Sequence, residues 1–418
     1  MVKFLHIGDV HLDTSFYSKN KVLRKKLREG IRKAFNNAID LCIEEKVDAL
    51  LIAGDLFDND KLSFKTEQFL IKEFTRLREH NIKVFYATGN HDPGHISYRA
   101  NSIRWPDNVY VFKEDRVETA YIYNSNNKAV CKIVSCGHKT STEGRNLVLH
   151  FPIKEENLPH VGLLHTMVTS AGGVQDHDRY LPCSREDLES KMYDYWALGH
   201  IHKRQKISEN CEIYYPGNIQ GRHPRETGEK GGLLVTIDEL GSITTEFKPL
   251  SAIQWQTLAL DGLEDIKSYD ELKEYIKNNI EKYVEQNGLP DSDLILRVEL
   301  QGRAYLKREL QLEDNIDQLT EDLILDLNLL NLEIKVDNLM NVLNIENYRE
   351  GDHVLSSVLC LLDNIEENRE LIERLMEIPL ANKRIRKKDD KLSYFKELAN
   401  GLDEEAVSLM VGDVDEDI

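Results

Sequence analysis

Between Asn20 and Lys46, apolar residues recur at every fourth position: Leu23, Leu27, Ile31, Phe35, Ile39 and Ile43. One stripe at that spacing predicts a single amphipathic helix. Short apolar runs surround it. Val2 to Ile7, DALLIA (48–53), KVFYAT (83–88), HVGLLH (160–165) and YDYWAL (193–198) read as strands. From about residue 211 the texture changes to hairpins, EIYYPGN and then GLLVTIDELGSITTEF with a glycine in its turn. Helix–strand alternation followed by hairpins predicts layered sheets with helices outside.

Beyond Pro249 the pattern changes again. The stretch SYDE, Ser268 to Glu271, reads as a capping box that opens a helix to about Gln286. Alternating Leu296, Val298 and Leu300, then Leu332, Ile334 and Val336, predict two strands of a small α+β module. After about residue 346 two helical stripes follow. Leu355, Leu359, Leu362, Ile365, Ile372, Leu375 and Met376 make one, and Leu392, Phe395, Leu398 and Leu402 the other. The expected organisation is a first domain over 1–250, an α+β cap over 251–345, and a helical region with an acidic tail over 346–418. A chain of 418 residues is long enough for two or three cores.

Composition narrows the class. No apolar run approaches the ~18 residues of a membrane span, and the N-terminal run is too short for a signal peptide. A cytoplasmic protein without a membrane role is the expectation. Six cysteines are scattered without a CxxC pair, which speaks against a disulfide framework or a thiolate metal site. The net charge of -19 is unevenly spread. Residues 251–418 hold 39 acidic and 19 basic side chains, leaving 34 and 35 in residues 1–250. The first domain is therefore close to neutral, and the overall charge does not exclude a nucleic-acid substrate.

The candidate chemistry lies at the strand ends. The first strand runs into HIGDVHLD, delivering Asp9 and His11 two residues apart. DALLIA ends in GDLFD, with Asp55 and Asp58; KVFYAT ends in GNHD, with Asn90, His91 and Asp92. HVGLL ends in His165, and YDYWAL in GHIH, with His200 and His202. In open α/β folds, ligands gather at the carboxyl ends of strands, so five such ends describe one site. Imidazoles, carboxylates and an amide carbonyl together suit Mn²⁺, Fe²⁺ or Zn²⁺ better than Mg²⁺ or Ca²⁺. Two such cations ~3.5–4 Å apart share a carboxylate, activate water and clamp phosphoryl oxygens. The glycines before Asp55, Asn90 and His200 are expected to let the backbone turn sharply. A single DxH or GDxxD is common in proteins without metal; this ordered succession is not.

That order of motifs resembles the calcineurin-like metallophosphoesterase superfamily over residues 1 to about 250. The resemblance implies a two-sheet αββα sandwich flanked by helices and a pair of divalent metal ions. Carried onto this sequence, Asp9, His11, Asp55 and His202 would hold one metal. Asp55, Asn90, His165 and His200 would hold the other, with Asp55 bridging. His91 would face the scissile phosphate and assist the leaving oxygen, while Asp58 and Asp92 would orient histidines.

Within the superfamily, FLHIGDVHLDT, AGDLFD and YPGNIQGR (215–222) are similar to the SbcD-type DNA repair exonucleases, especially the YhaO-like branch. This implies a Mn²⁺-dependent DNA phosphodiesterase, with DNA and an SbcC-like ABC-type ATPase as partners. The ATPase would be gripped by the C-terminal helices, and a homodimer is left open. Candidate DNA contacts are Lys203, Arg204, Arg222 and Arg225. The basic residues Lys21, Arg24, Lys25, Lys26 and Arg28 read as a solvated helix face, and KRIRKK (383–388) as a linker. Two alternatives compete: a phosphatase or phosphodiesterase for other substrates, and a scaffold whose site has decayed. The 170 or so residues beyond Pro249 weigh against the first, and intact ligands at every motif against the second.

Overall fold

In the computed structural model the described residues are 1–16, 20–58, 62–95, 97, 99–124, 126–155, 157–172, 180–289, 293–342, 348–351, 353–363 and 402–411. The periodic stripe forms the longest helix among them, α1 (Lys21–Glu44). The Asn20 side chain caps it by accepting the Val22 and Leu23 backbone N–H groups, and Leu27, Ile31, Phe35 and Ile39 are buried. Helices α2 (Phe64–Glu79) and α3 (Arg185–Glu189) follow.

The strands are β1 (Val2–Ile7), β2 (Ala49–Ala53), β3 (Lys83–Ala87), β4 (Val109–Phe112), β5 (Glu118–Tyr123) and β6 (Ala129–Ser135). They continue with β7 (His160–His165), β8 (Tyr195–Gly199), β9 (Gln205–Lys206), β10 (Ile213–Tyr215), β11 (Gly231–Ile237) and β12 (Ile243–Pro249). Two six-stranded sheets result, ordered β12-β11-β1-β2-β3-β4 and β5-β6-β7-β8-β10-β9. Strands β1 to β4 are parallel, as are β6, β7, β8 and β10. The carboxyl ends within each set therefore lie together on one edge.

Strand alternation builds the layers. In β1 to β3, Phe4, Leu51, Ala53, Phe85 and Ala87 face the second sheet's Ile133, Leu163, Tyr195 and Ala197. Their neighbours Leu5, Ile7, Leu50, Ile52, Val84 and Tyr86 face Ile31, Phe35, Leu70 and Phe74 of the helices. The other face of the second sheet is covered by Leu188 of α3 with Leu147, Phe151 and Met167. This is the expected αββα sandwich.

Further along come β13 (Gln254–Leu260), α4 (Tyr269–Asn287), β14 (Leu294–Ala304), α5 (Lys307–Leu310), α6 (Glu313–Leu327) and β15 (Asn331–Asn341). The strands pair in the order β13-β14-β15. The SYDE capping box forms: Glu271 N–H donates to Ser268 Oγ, and Ser268 N–H to Glu271 Oε2. Two compact units emerge. One is Met1–Leu258 with Lys282–Arg297 and Leu323–Glu333; the other is Ala259–Glu281, Val298–Asp322 and Ile334–Ile418. Residues near 295 and 330 join the first unit because Ile295 and Leu330 cluster with Leu27, Ile253 and Trp255.

Helices α7 (Val354–Asp363) and α8 (Leu402–Val411) close the described chain, with Leu355 and Leu359 packed on Val407. The rest of the two stripes, from Ile365 to Met376 and from Leu392 to Leu398, and the basic run 383–388 lie outside the described residues. Among the described residues, no helix is long and apolar enough to cross a membrane.

Candidate metal centre

The carboxyl ends of β1, β2 and β3 on one sheet meet those of β7 and β8 on the other. The chain leaves these strands through a backbone geometry that side chains rarely adopt. Asp9 (φ 51°), His11 (φ 52°), Asp55 (φ 51°) and His200 (φ 106°) are all in the left-handed half of φ space. Strain of this kind persists where surrounding contacts over-determine it, and it concentrates at functional sites. The glycines therefore do less of the turning than the sequence predicts. Only Gly54, at φ 82°, is itself left-handed among the three. Gly89 and Gly199 serve close approach instead. A Cβ on Gly89 would come within 2.2 Å of Asp55 Oδ1, and one on Gly199 within 1.7 Å of the Ala53 carbonyl oxygen.

Two groups of donor atoms converge. In one, His11 Nε2 lies 3.3 Å from His202 Nε2 and 3.6 Å from Asp55 Oδ2, and His202 Nε2 lies 3.9 Å from Asp9 Oδ1. In the other, His165 Nε2 lies 2.9 Å from Asn90 Oδ1, 3.4 Å from Asp55 Oδ2 and 3.3 Å from His200 Nδ1. Donors bound ~2.1 Å from a common ion stand about 3.0–3.4 Å apart along the edges of an octahedron or tetrahedron. Asp55 Oδ2 belongs to both groups.

The protons decide what can sit between these atoms. His165 Nδ1 is 2.9 Å from the Ala53 carbonyl oxygen, and His202 Nδ1 is 2.6 Å from Glu226 Oε1. Each Nδ1–H donates there, so a neutral ring has only a lone pair left on Nε2. Both rings are held neutral, pushed down to about 3 by burial. Burial likewise lowers His11. Lone pairs thus face carboxylate and amide oxygens, an arrangement that a cation seated between them satisfies. The two carboxyls differ: burial and then the charge of Asp55 push the Asp9 carboxyl well up. For Asp55, burial is outweighed by its histidine neighbours, of which His91 keeps its charge and also donates its backbone N–H. The donor set fits a pair of divalent cations.

The carboxylates are themselves fixed by the opposite loop. His200 N–H donates to both oxygens of Asp9 at 3.1 Å, across the two sheets. His91 N–H donates to Asp55 Oδ1 at 3.0 Å. Asp58 lies where a histidine-orienting residue should, with Oδ1 3.0 Å from His91 Nδ1 and 3.7 Å from His11 Nδ1. Burial disfavours a charged His91, but the Asp58 hydrogen bond and the charges of Asp55 and Asp58 prevail and raise it to about 9.

Asp92 departs from expectation, since it bonds no histidine among the described residues. It accepts the backbone N–H groups of Leu56 at 2.5 Å and Gly89 at 2.6 Å, and the Tyr86 hydroxyl at 2.5 Å. Its carboxyl is thus consumed in stitching the GDLFD and GNHD loops together.

A cleft of about 650 Å³ opens over the centre, lined by Asn90, His91, His200, His202 and the cations Lys203, Arg222, Arg225 and Lys230. Three of the candidate DNA contacts are there. Arg204 is elsewhere, its guanidinium 3.6 Å over the Phe247 ring. Sequence reasoning missed Lys230 and Glu226. Glu226 lies 24 residues from the histidine it holds, and a lone acid in a polar turn gives no signal for that.

Comparison with known proteins agrees with this geometry. Residues 2–204 match the model of the calcineurin-like phosphoesterases. The metallophosphoesterase YhaO of Bacillus subtilis is 34% identical over 305 residues, covering 72% of each chain. The DNA double-strand break repair protein Mre11 of Sulfolobus acidocaldarius is 24% identical over 401 residues, 90% of this chain and 98% of its own. The protein of the same name from Methanocaldococcus jannaschii is 25% identical over 393 residues, 88% of this chain and 97% of its own. Motif order, layered fold and relatives converge: the chain belongs to the calcineurin-like phosphoesterase family and is a metallophosphoesterase.

Proposed function

We propose that the chain is a two-metal phosphodiesterase acting on DNA in repair, as an exonuclease or endonuclease working with an SbcC-like ABC-type ATPase. The observation that carries the metal assignment is the convergence of two donor groups on Asp55 and Asp9, with His165 Nε2 3.4 Å from Asp55 Oδ2 and His202 Nε2 3.9 Å from Asp9 Oδ1. Asp9, His11, Asp55 and His202 would hold one ion; Asp55, Asn90, His165 and His200 would hold the other. Bound there, two divalent cations supply an activated water and neutralise phosphoryl charge. His91, held through Nδ1 by Asp58, has its other ring nitrogen available to protonate the leaving oxygen. Lys203, Arg222, Arg225 and Lys230 provide cations for a phosphodiester backbone. The Mre11 relatives, named for DNA double-strand break repair, support DNA over small phosphoesters.

Purified protein is expected to cleave end-labelled single- or double-stranded DNA, to stop in chelator, and to recover best with Mn²⁺. Affinity alone favours Zn²⁺, so availability selects the working ion. Full activity in chelator sinks the two-metal assignment. Hydrolysis of a generic phosphodiester with both DNA forms left intact favours a non-nucleic-acid substrate.

The ATPase assignment rests on the resemblance and is tested separately. Truncation at about residue 346 should leave a folded, Mn²⁺-dependent phosphodiesterase that no longer co-purifies with the ATPase. Aggregation, or unchanged co-purification, counts against helices built for a partner.

A further inference from the structure

We infer that Glu226 is a positioning residue that ties the metal centre to the loop presenting the cleft cations, one carboxylate oxygen serving each. The inference rests on the two-metal reading above. Glu226 Oε1 accepts the His202 Nδ1–H at 2.6 Å, which turns the Nε2 lone pair towards His11 and Asp9. Its Oε2 accepts the Arg222 backbone N–H at 2.7 Å and the Asn218 side-chain amide at 2.9 Å. Those two bonds close the turn from Gly217 to Glu226, which carries Arg222 and Arg225 into the cleft. Arg222 in turn places Nη1 3.7 Å from Asp58 Oδ2, the carboxylate that holds His91. One buried carboxylate therefore sits between a candidate metal ligand and the loop whose side chains meet the substrate.

The residue type matters because both sides donate. A carboxylate accepts on both oxygens, whereas an amide accepts on only one. In Glu226→Gln, an amide oxygen turned to His202 leaves its NH₂ opposed to the Arg222 N–H and the Asn218 NH₂. Turned the other way, the NH₂ faces His202 Nδ1 and forces the ring proton onto Nε2, which then cannot bind a cation. Glutamine therefore keeps at most one of the two functions. Partners that orient ligating histidines typically contribute 10–100-fold in metal affinity.

The full-length wild type, Glu226→Gln, Glu226→Ala and Arg222→Ala are stripped with chelator and titrated calorimetrically with Mn²⁺ alone. They are then assayed on bis(p-nitrophenyl) phosphate at saturating Mn²⁺. Glu226→Ala is expected to lose about 10–100-fold in affinity at one of two Mn²⁺ sites, with the other little changed, and to show a raised KM. Arg222→Ala should raise KM. Although Arg222 Nη2 also lies 3.4 Å from His202 Nδ1, this variant should change Mn²⁺ affinity less than Glu226→Ala does, because the Glu226 bond to that nitrogen remains. Glu226→Gln, isosteric and informative even if the alanine variant fails to fold, should lose one Mn²⁺ affinity or gain in KM. Loss confined to one site separates positioning from general loosening, which weakens both. Wild-type affinities and KM in both Glu226 variants overturn the inference alone. A wild type that binds no Mn²⁺ overturns the two-metal reading, and this inference with it.

Discussion

Asp55→Asn is expected to strip both cations and to cost more than the ~10²–10³-fold that one lost charge-stabilising donor costs in turnover. A single oxygen, Oδ2, lies 3.6 Å from His11 Nε2 in one donor group and 3.4 Å from His165 Nε2 in the other. Two unit charges 4 Å apart interact by ~4 kcal/mol at an effective dielectric of 20, so two dications at that spacing repel by on the order of 16 kcal/mol. A shared anion offsets that repulsion and a neutral amide does not. Asparagine is the informative replacement because Asp55 sits at φ 51°. Asparagine visits that region readily, whereas most L-residues pay ~1–2 kcal/mol there. Metal analysis after dialysis against Mn²⁺ decides the matter, and a folded variant retaining close to two ions per chain refutes the bridge.

His91→Ala should separate chemistry from metal binding. It is expected to lose ~10²–10⁴-fold in turnover, the usual contribution of a positioned acid, while keeping both cations. A competing geometry exists, since His11, Asp58 and His91 also bring ligand atoms within 4.8 Å of one another. The hydrogen bonding argues against it. His91 Nδ1 lies 3.0 Å from Asp58 Oδ1, a donor–acceptor pair already made without an ion between them. Loss of one equivalent of metal together with activity would make His91 a ligand and remove it from acid catalysis.

What could be read in the sequence was local. The α1 stripe, the SYDE cap and the five strand ends each declare themselves within a few residues, because strand alternation and capping are short-range rules. Strands β4, β5 and β6 went unread. In β4 and β5 most residues are half-buried, with Tyr110 and Tyr123 exposed, so the apolar pattern there is diluted. Strand β6, by contrast, buries Cys131, Ile133 and Val134 and carried a readable run, AVCKIV. Asp92 was misread for a different reason. It stands beside His91 in sequence, yet its oxygens are claimed by backbone N–H groups of Leu56 and Gly89. Glu226 and Lys230 come to the cleft by tertiary approach alone. Arg204 looked like a partner of Lys203, but strand β12 brings Phe247 beneath it.

Each donor group draws from both sheets. Asp9, His11, Asp55 and Asn90 leave strands of the first, and His165, His200 and His202 leave strands of the second. On the two-metal reading, every bound ion is a cross-link between halves of the sandwich. It stabilises the docked state by RT ln(1 + [M]/Kd), ~2.7 kcal/mol at a hundredfold excess over Kd. The same arrangement acts as a coincidence detector for folding. A chain whose two sheets have parted keeps only part of each donor group, and neither part alone makes a complete site. Phosphoesterase chemistry at such a site is thereby licensed only once both sheets have docked.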